Sequence, residues 1–170
     1  ALEALRHGKN VLIEKPMANT VQECDIMLEA AKKSGKKLAV GHVQRFFNST
    51  QKVKEYVDNK TLGELCMVCE RRTISYFNEL RPKWFLQKDK SGGGIIMNYG
   101  AHALDRLFYI TGACVSSALA FFSNEKTDDN VEGHAQVLFG LDNGCSATVT
   151  LCGYTYSGYD VTYYFTNGVL

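Results

Sequence analysis

The stretch SGGGIIMNYGAHALD, from Ser91 to Asp105, decides how we interpret the fold of this chain. Three consecutive glycines permit backbone conformations and close approaches that a side chain would forbid, so they suit a turn pressed against a ligand or a neighbouring strand. From Ile95 to Thr111 the apolar residues follow a helical period, and Gly112 is suited to end that helix. The spacing predicts a core-facing stripe of Met97, Ala101, Leu104 and Phe108.

A polar stripe lies beside this apolar one and carries the residues with chemical potential. Asn98 and His102 are four residues apart, one helical turn, so both side chains can reach one bound molecule. An imidazole accepts and returns a proton near neutral pH, and an amide can orient a hydroxyl group. A histidine beside an apolar stripe is also compatible with a hydrogen-bonded structural role, and Asp105 with helix packing. On this stretch alone both interpretations stay open.

The composition excludes two classes of partner. The chain has 170 residues, a formal net charge of +1 and basic residues scattered among acidic ones, which argues against a nucleic-acid surface. No apolar run approaches the roughly 20 residues of a membrane span. Six cysteines include the pair Cys66 and Cys69, but a strand predicted there points them to opposite faces, so we expect no metal site. We expect buried thiols in a reducing compartment, hence a cytoplasmic protein.

The first part of the chain has the alternation typical of a parallel sheet covered by helices. Val11 to Ile13 and Leu38 to Val40 read as short buried strands, and the helix between them begins with a capping box of Thr20 and Glu23. Lys15 follows the first strand at the edge where ligands of open α/β sheets bind, and the Lys15–Pro16 bond is a candidate for the cis isomer. A Lys-Pro pair is equally compatible with a surface turn.

The pattern then changes to longer strands rich in β-branched and aromatic residues. After a helix from about Ser49 to Asp58, we predict strands over 64–76, 115–123, 133–141, 145–154 and 160–166. Asn143 and Gly144 mark a hairpin. The fold class is therefore an α/β tail of a doubly wound domain joined to an α+β domain, whose open and largely antiparallel sheet is covered by helices. The polar segment 77–90, with Arg81 and Trp84, is predicted as a long loop that can act as a lid.

Several motifs occur in a recognisable order: Glu14-Lys15-Pro16, then Val40-Gly41-His42 with Arg45-Phe46, then Gly92 to Gly94 running to Gly100, His102 and Asp105. In this order and spacing they resemble the glucose-fructose oxidoreductase and inositol dehydrogenase (Gfo/Idh/MocA) family of NAD(P)-dependent enzymes, and the resemblance covers nearly the whole chain. It implies NAD or NADP as cofactor and reversible oxidation of a secondary alcohol of a sugar, polyol or related hydroxy compound. It also implies a homo-oligomer formed through the antiparallel sheet.

The same resemblance implies a division of the chain. Residues 1–41 would be the C-terminal remnant of the dinucleotide-binding Rossmann domain, and residues 42–170 a substrate and oligomerisation domain truncated at its C-terminal end. The chain opens without Met inside a predicted helix and stops after the turn residues Asn167 and Gly168, so we expect a fragment. The Gly-x-Gly-x-x-Gly fingerprint is not within it, so we expect the fragment alone to be inactive.

The roles of single residues follow from the family's motifs. His102 matches the proton-transfer residue and Lys15 the catalytic lysine, while Asn98 stands where many members have Asp and is cast as a hydrogen-bonding orienter. Five residues match positions near the cofactor: Glu14, Lys15, Pro16, Arg45 and Trp84. Tyr154 and Tyr156, expected in a loop between strands, would lie near the substrate or at an oligomer interface. No metal is required, since Lys15 and His102 supply electrostatics and proton transfer.

Two alternatives share this architecture. One is a non-enzymatic nucleotide- or ligand-sensing regulator, and the other is an NAD-dependent glycosidase that uses transient hydride transfer. Retention of both Lys15 and His102 favours an enzyme over the regulator.

Overall fold

A computed structural model describes residues 1–123 and 130–170 of the chain. The chain forms two compact units, one of residues Ala1–Val43 and one of residues Gln44–Leu170. A short 3₁₀ helix, Val43–Phe46, spans the point of division.

The first unit is a strand–helix–strand arrangement preceded by a short helix. Its elements are α1 (Leu2–Arg6), β1 (Val11–Ile13), α2 (Val21–Ser34) and β2 (Leu38–Val40). β1 and β2 pair in parallel, with Leu12 opposite Ala39, as predicted. The capping box at Thr20 is confirmed: its side chain accepts from the Glu23 amide, and the Glu23 carboxylate accepts from the Thr20 amide. The Lys15–Pro16 bond is cis.

The helical period of α2 predicts a buried face of Cys24, Met27, Leu28 and Ala31, and this prediction is wrong at Leu28. Met27 is buried, but Leu28, assigned to the same face, is 54% exposed. Within this unit, two short strands and a five-residue helix cover only a narrow side of the 14-residue helix.

The second unit packs helices on one face of a six-stranded sheet. Its helices are α3 (Asn48–Asp58), α4 (Lys88–Ser91) and α5 (Ala101–Thr111), with a 3₁₀ turn at Lys83–Leu86 and a π-helical segment, Ile96–Gly100, leading directly into α5. Its strands are β3 (Leu65–Ser75), β4 (Val115–Ser123), β5 (His134–Leu141), β6 (Ser146–Cys152), β7 (Tyr154–Phe165) and β8 (Gly168–Val169).

The sheet has the order β4-β5-β6-β3-β7-β8. β3 and β6 pair in parallel and the other neighbours are antiparallel, so the prediction of a largely antiparallel sheet is confirmed. Gly144, with φ +83°, closes the predicted hairpin between β5 and β6. The core lies between one face of this sheet and α5. It includes Val68, Ala135, Val149, Leu151, Ala103, Leu107 and Ile110.

The predicted core stripe of this helix is right at Leu104, which packs against the core, and wrong at Phe108. Ala103, Leu107 and Ile110 face the sheet, whereas Phe108 of the predicted stripe is 38% exposed. Ala103, Leu107 and Ile110 also recur at i, i+4 and i+7, so the sequence contained two overlapping apolar stripes. The π-helical start adds to the ambiguity, because a wider turn rotates the residues after it relative to an α-helical count from Met97.

Two further predictions need correction. Tyr154 and Tyr156 do not lie in a loop, because β7 begins at Tyr154 and continues to Phe165. Cys66 and Cys114 are exposed, not buried, since Cys66 is at the start of β3 and Cys114 precedes the edge strand β4. All six cysteines are free thiols. Among residues 1–123 and 130–170, no cluster of three or more His, Cys, Asp or Glu could hold a metal, and no helix is long and apolar enough to span a membrane.

Candidate functional site

The glycine turn is shaped by its contact with Glu132, which lies just before β5. Gly92 has φ +75° and ends α4 in the left-handed conformation. A Cβ on Gly94 would lie 2.1 Å from the Glu132 carbonyl oxygen and 3.1 Å from its backbone nitrogen, so only glycine fits there. The sequence predicted that the glycine turn lies against a ligand or a neighbouring segment. In the structure it lies against a neighbouring segment, the backbone of Glu132.

Asn98 and His102 follow this turn on one continuous helix. Asn98 lies in the π-helical segment, and its backbone N–H donates to the Gly94 carbonyl over 3.1 Å. His102 lies in the first turn of α5. Its ring is half-buried, and its Nδ1 atom is withdrawn from solvent. Asn98 and His102 thus lie four residues apart on one continuous helix.

Tyr76, the residue directly after β3, is the main residue that the sequence did not reveal. Its side chain is fully buried and faces Asn98. Burial raises the pKa of the Tyr76 phenol, and the Asn98 amide acts in the opposite direction. The guanidinium of Arg81 lies 3.8 Å from the centroid of the Tyr76 ring, and Arg81 Nε donates to the Tyr76 carbonyl over 2.5 Å. The predicted lid segment is thus tied by Arg81 to the strand end beneath Asn98.

Two residues of the second unit that lie in the 3₁₀ helix, Gln44 and Arg45, are held against α5 by polar pairs. Arg45 donates from Nε to both carboxylate oxygens of Asp105, over 3.0 and 2.9 Å, and this bond raises the pKa of the Arg45 guanidinium. Arg106 and Glu70 are both buried and form an ion pair with each other. Arg106 also donates a hydrogen bond to the side-chain oxygen of Gln44. Asp105, for which structure and chemistry were open, has a structural partner in Arg45. A cofactor role for Arg45 stays a prediction.

The other predicted residues of this unit lie in aromatic contacts. The half-buried Tyr154 ring stacks on Phe77, with centroids 5.2 Å apart, and its hydroxyl fills the space beside Gly133. Trp84 is 47% exposed and stacks on Phe85 at 3.9 Å. Arg72, which sequence analysis overlooked, lies 4.1 Å from the Tyr99 ring centroid and 5.2 Å from that of Tyr159.

In the first unit, Glu14, Lys15 and Pro16 follow β1 directly. The carboxyl ends of the parallel strands β1 and β2 lie side by side there, with Gly41 N donating to the Ile13 carbonyl over 2.8 Å. Lys15 and Pro16 are half-buried and Glu14 is exposed. The side chain of Glu14 lies against Gly41, where a Cβ would be 3.5 Å from Glu14 Oε1. The predicted meeting of Lys15 with His102 in one cleft stays a prediction.

Two family models match the chain and together cover most of it. Residues 50–169 match the GFO/IDH/MocA C-terminal domain. Residues 1–42 match the oxidoreductase family with an NAD-binding Rossmann fold.

Individual relatives agree with this result. Over 92% of its length, the chain is 31% identical to a 1-carboxy-3-chloro-3,4-dihydroxycyclohexa-1,5-diene dehydrogenase of Comamonas testosteroni, of which it covers 39%. It is 37% identical over 65% of its length to a D-glucoside 3-dehydrogenase of Escherichia coli, of which it covers 31%. An NAD-binding protein of Listeria innocua has a similar structure, with TM-score 0.88 and 25% identity over 99% of this chain and 47% of that one. The chain thus spans less than half the length of each of these relatives.

Proposed function

Because the chain belongs to the GFO/IDH/MocA family, we propose that its protein transfers a hydride between NAD or NADP and a secondary alcohol. The observation that carries this proposal is the half-buried His102 one turn after Asn98, on a helix anchored at its start by a glycine turn. A catalytic base must be held in a defined position to act on a bound hydroxyl group, and this arrangement would hold His102 in such a position.

The fit to a nicotinamide cofactor rests on the first unit. Lys15 follows β1 at the carboxyl ends of two parallel strands, the edge where nucleotides bind in open α/β sheets. Lys15 and its neighbours Glu14 and Pro16 would hold the nicotinamide end, with Arg45 and Trp84 as further proposed contacts. The cofactor, when bound, supplies the acceptor for the hydride that leaves the alcohol carbon.

The chain's own residues would manage the proton and the substrate oxygen. As the C–H electron pair leaves with the hydride, the O–H proton passes to Nε2 of His102 and a carbonyl group forms. The ammonium of Lys15 would favour the developing negative charge on the oxygen, an effect that grows when water is excluded. Asn98, as an amide, would orient the substrate hydroxyl or the imidazole. It cannot carry the negative charge that an Asp at this position would supply.

The substrate class that we propose is a sugar, polyol or related hydroxy compound. Two relatives are named for oxidising a glucoside and a carboxylated dihydroxy ring, and both compounds carry neighbouring hydroxyl groups. A panel of glucosides, polyols and hydroxy acids, tested with NAD and NADP on the whole protein, would therefore contain a substrate. The assay measures formation of the reduced nicotinamide.

The assay also separates the alternatives. Nucleotide binding without turnover of any compound in the panel would contradict the enzyme and favour a sensing regulator. Cleavage of a glycoside without net NADH formation would favour the redox-neutral glycosidase.

We propose, in addition, that the protein self-associates through the open face of its sheet. Leu119, Phe121 and Leu138 are 60%, 69% and 49% exposed there, beside Thr148 and Thr150. Among the described residues that line this groove none is charged, so two copies can meet there without like-charge repulsion between those residues.

A further inference from the structure

One residue accepts three successive backbone hydrogen bonds at the start of the helix that carries Asn98 and His102. The Glu132 carboxylate, through Oε1, accepts from the Gly94 amide over 2.8 Å and from the Ile96 amide over 3.0 Å. The Glu132 backbone carbonyl accepts from the Ile95 amide, also over 3.0 Å. The two backbone amides that donate to the Glu132 side chain are 36 and 38 residues away from it in the sequence. This is therefore a tertiary contact and not a local cap.

The helix needs this contact because its own sequence provides no cap. The first amides of a helix have no carbonyl one turn earlier, and a nearby Ser, Thr, Asp or Asn usually accepts from them. Here the residue at that position is Ile95, and no side-chain cap is made locally. A carboxylate is well suited to replace it, since it is negative where the helix dipole is positive and its hydrogen bonds are charge-assisted.

The glycine turn allows Glu132 to approach this closely. A Cβ on Gly93 would lie 3.3 Å from both carboxylate oxygens of Glu132, and one on Gly94 would overlap the Glu132 backbone itself. The turn and the glutamate are therefore one interlocking unit. Asn98 is in the next turn, hydrogen-bonded to Gly94, and the charge of Glu132 also acts on the neighbouring Tyr76 phenol, where it helps to raise the pKa.

We infer that Glu132 is a positioning residue for proton transfer: it fixes the start of the helix and thereby the places of Asn98 and His102. This inference rests on the proposed dehydrogenase function. Glu132 does not contact the substrate; it acts through the helix. A displacement of about 1 Å in a catalytic group can cost on the order of 10²-fold in rate, so a helix start without its anchor would lower turnover.

Two variants separate the effect of the position of the acceptor oxygens of Glu132 from the effect of its negative charge. Glu132→Gln keeps an oxygen at the same reach and loses the charge, whereas Glu132→Asp keeps the charge and withdraws the oxygens by one methylene. We expect Glu132→Asp and Glu132→Ala to lose about 10²-fold in kcat. We expect Glu132→Gln to stay within about fivefold of wild type, since one amide oxygen can accept both bonds. KM for the nucleotide should not change in any of them.

The experiment uses the whole protein and two measurements: steady-state kinetics, and hydrogen exchange of the amides of residues 94–96. Exchange should rise in Glu132→Asp and Glu132→Ala and stay near wild type in Glu132→Gln. Glu55→Ala is the matched control, because Glu55 is an exposed carboxylate on α3 that pairs with Lys52, and it should change neither measurement. If Glu132→Ala fails to fold, the comparison of Glu132→Gln with Glu132→Asp still tests the positioning role of Glu132.

Each outcome bears on one claim. Faster exchange with unchanged kcat would overturn the positioning role, and so would a variant order in which Asp retains activity and Gln loses it, because that order indicates charge alone. If the wild-type protein oxidises no substrate, the proposed function fails, while the exchange arm still tests whether Glu132 anchors the helix. Unchanged exchange in Glu132→Ala would overturn the anchor itself.

Discussion

At the scale of single residues, His102 carries the chemical proposal. Its ring is half-buried, Nδ1 is withdrawn from solvent, and we propose that the other ring nitrogen, Nε2, exchanges the proton with the substrate. A positioned base typically contributes about 10² to 10⁴ in rate. We therefore expect His102→Ala in the whole protein to lower kcat by that factor, measured as reduced nicotinamide formed per second. A loss of less than about tenfold would contradict the assignment of His102 as the base.

A second residue-scale prediction concerns stability at high pH. Tyr163 lies in the core, and burial raises the pKa of its phenol to about 12 from an ordinary value of 10.0. Between these two values the folded chain keeps the proton and the unfolded chain loses it, so rising pH favours unfolding. The contribution of Tyr163 to the free energy of unfolding is fully present below pH 10. It falls by about 2 to 3 kcal/mol as the pH rises toward 12.

Tyr163→Phe removes the titrating group and keeps the ring. We expect the variant to lose less stability than wild type between pH 10 and pH 12, measured by urea unfolding at several pH values. Tyr156→Phe is the control, since Tyr156 is 92% exposed. Identical pH dependence of Tyr163→Phe and wild type would show that the buried phenol does not contribute.

At the scale of elements, local signals were predictable and distant contacts were not. The capping box at Thr20 and the hairpin at Gly144 were predicted correctly, because each depends on residues within a few positions of one another. The core face of α5 was mispredicted, since the sequence offers two apolar stripes and the π-helical start is invisible to a count of 3.6 residues per turn. β7 was predicted too short, because the polar and glycine residues after Tyr154 are typical of loops.

The candidate site shows the same limit. Asn98 and His102 could be identified because they share one helix and their spacing is visible in the sequence. Tyr76 and Glu132 could not, because each reaches that helix from a different part of the chain. The only available signals were the third glycine, which indicates a close neighbour without naming it, and the aromatic residue directly after β3.

At the scale of the whole molecule, the open face of the sheet is the surface through which we expect two copies of the protein to associate. Leu119 and Phe121 on the edge strand β4 and Leu138 on β5 form an exposed apolar surface in register, with Leu119 opposite Leu138. Exposed apolar patches on a sheet are typical of interfaces between proteins. If two copies cover this face, replacing Leu119 and Phe121 together by Asp should place like charges in the contact and weaken association.

We expect the wild-type protein to be an oligomer by light scattering, and the double variant to have a lower mass at the same concentration with an unchanged fold by circular dichroism. Leu80→Asp is the matched control, because Leu80 is 94% exposed, lies in the segment between β3 and the glycine turn, and is not among the residues that line the groove. A wild-type protein that is monomeric at micromolar concentration would contradict self-association. An oligomer that survives the double substitution would place its interface elsewhere, because two buried carboxylates cannot be accommodated in an uncharged contact without a large loss of affinity.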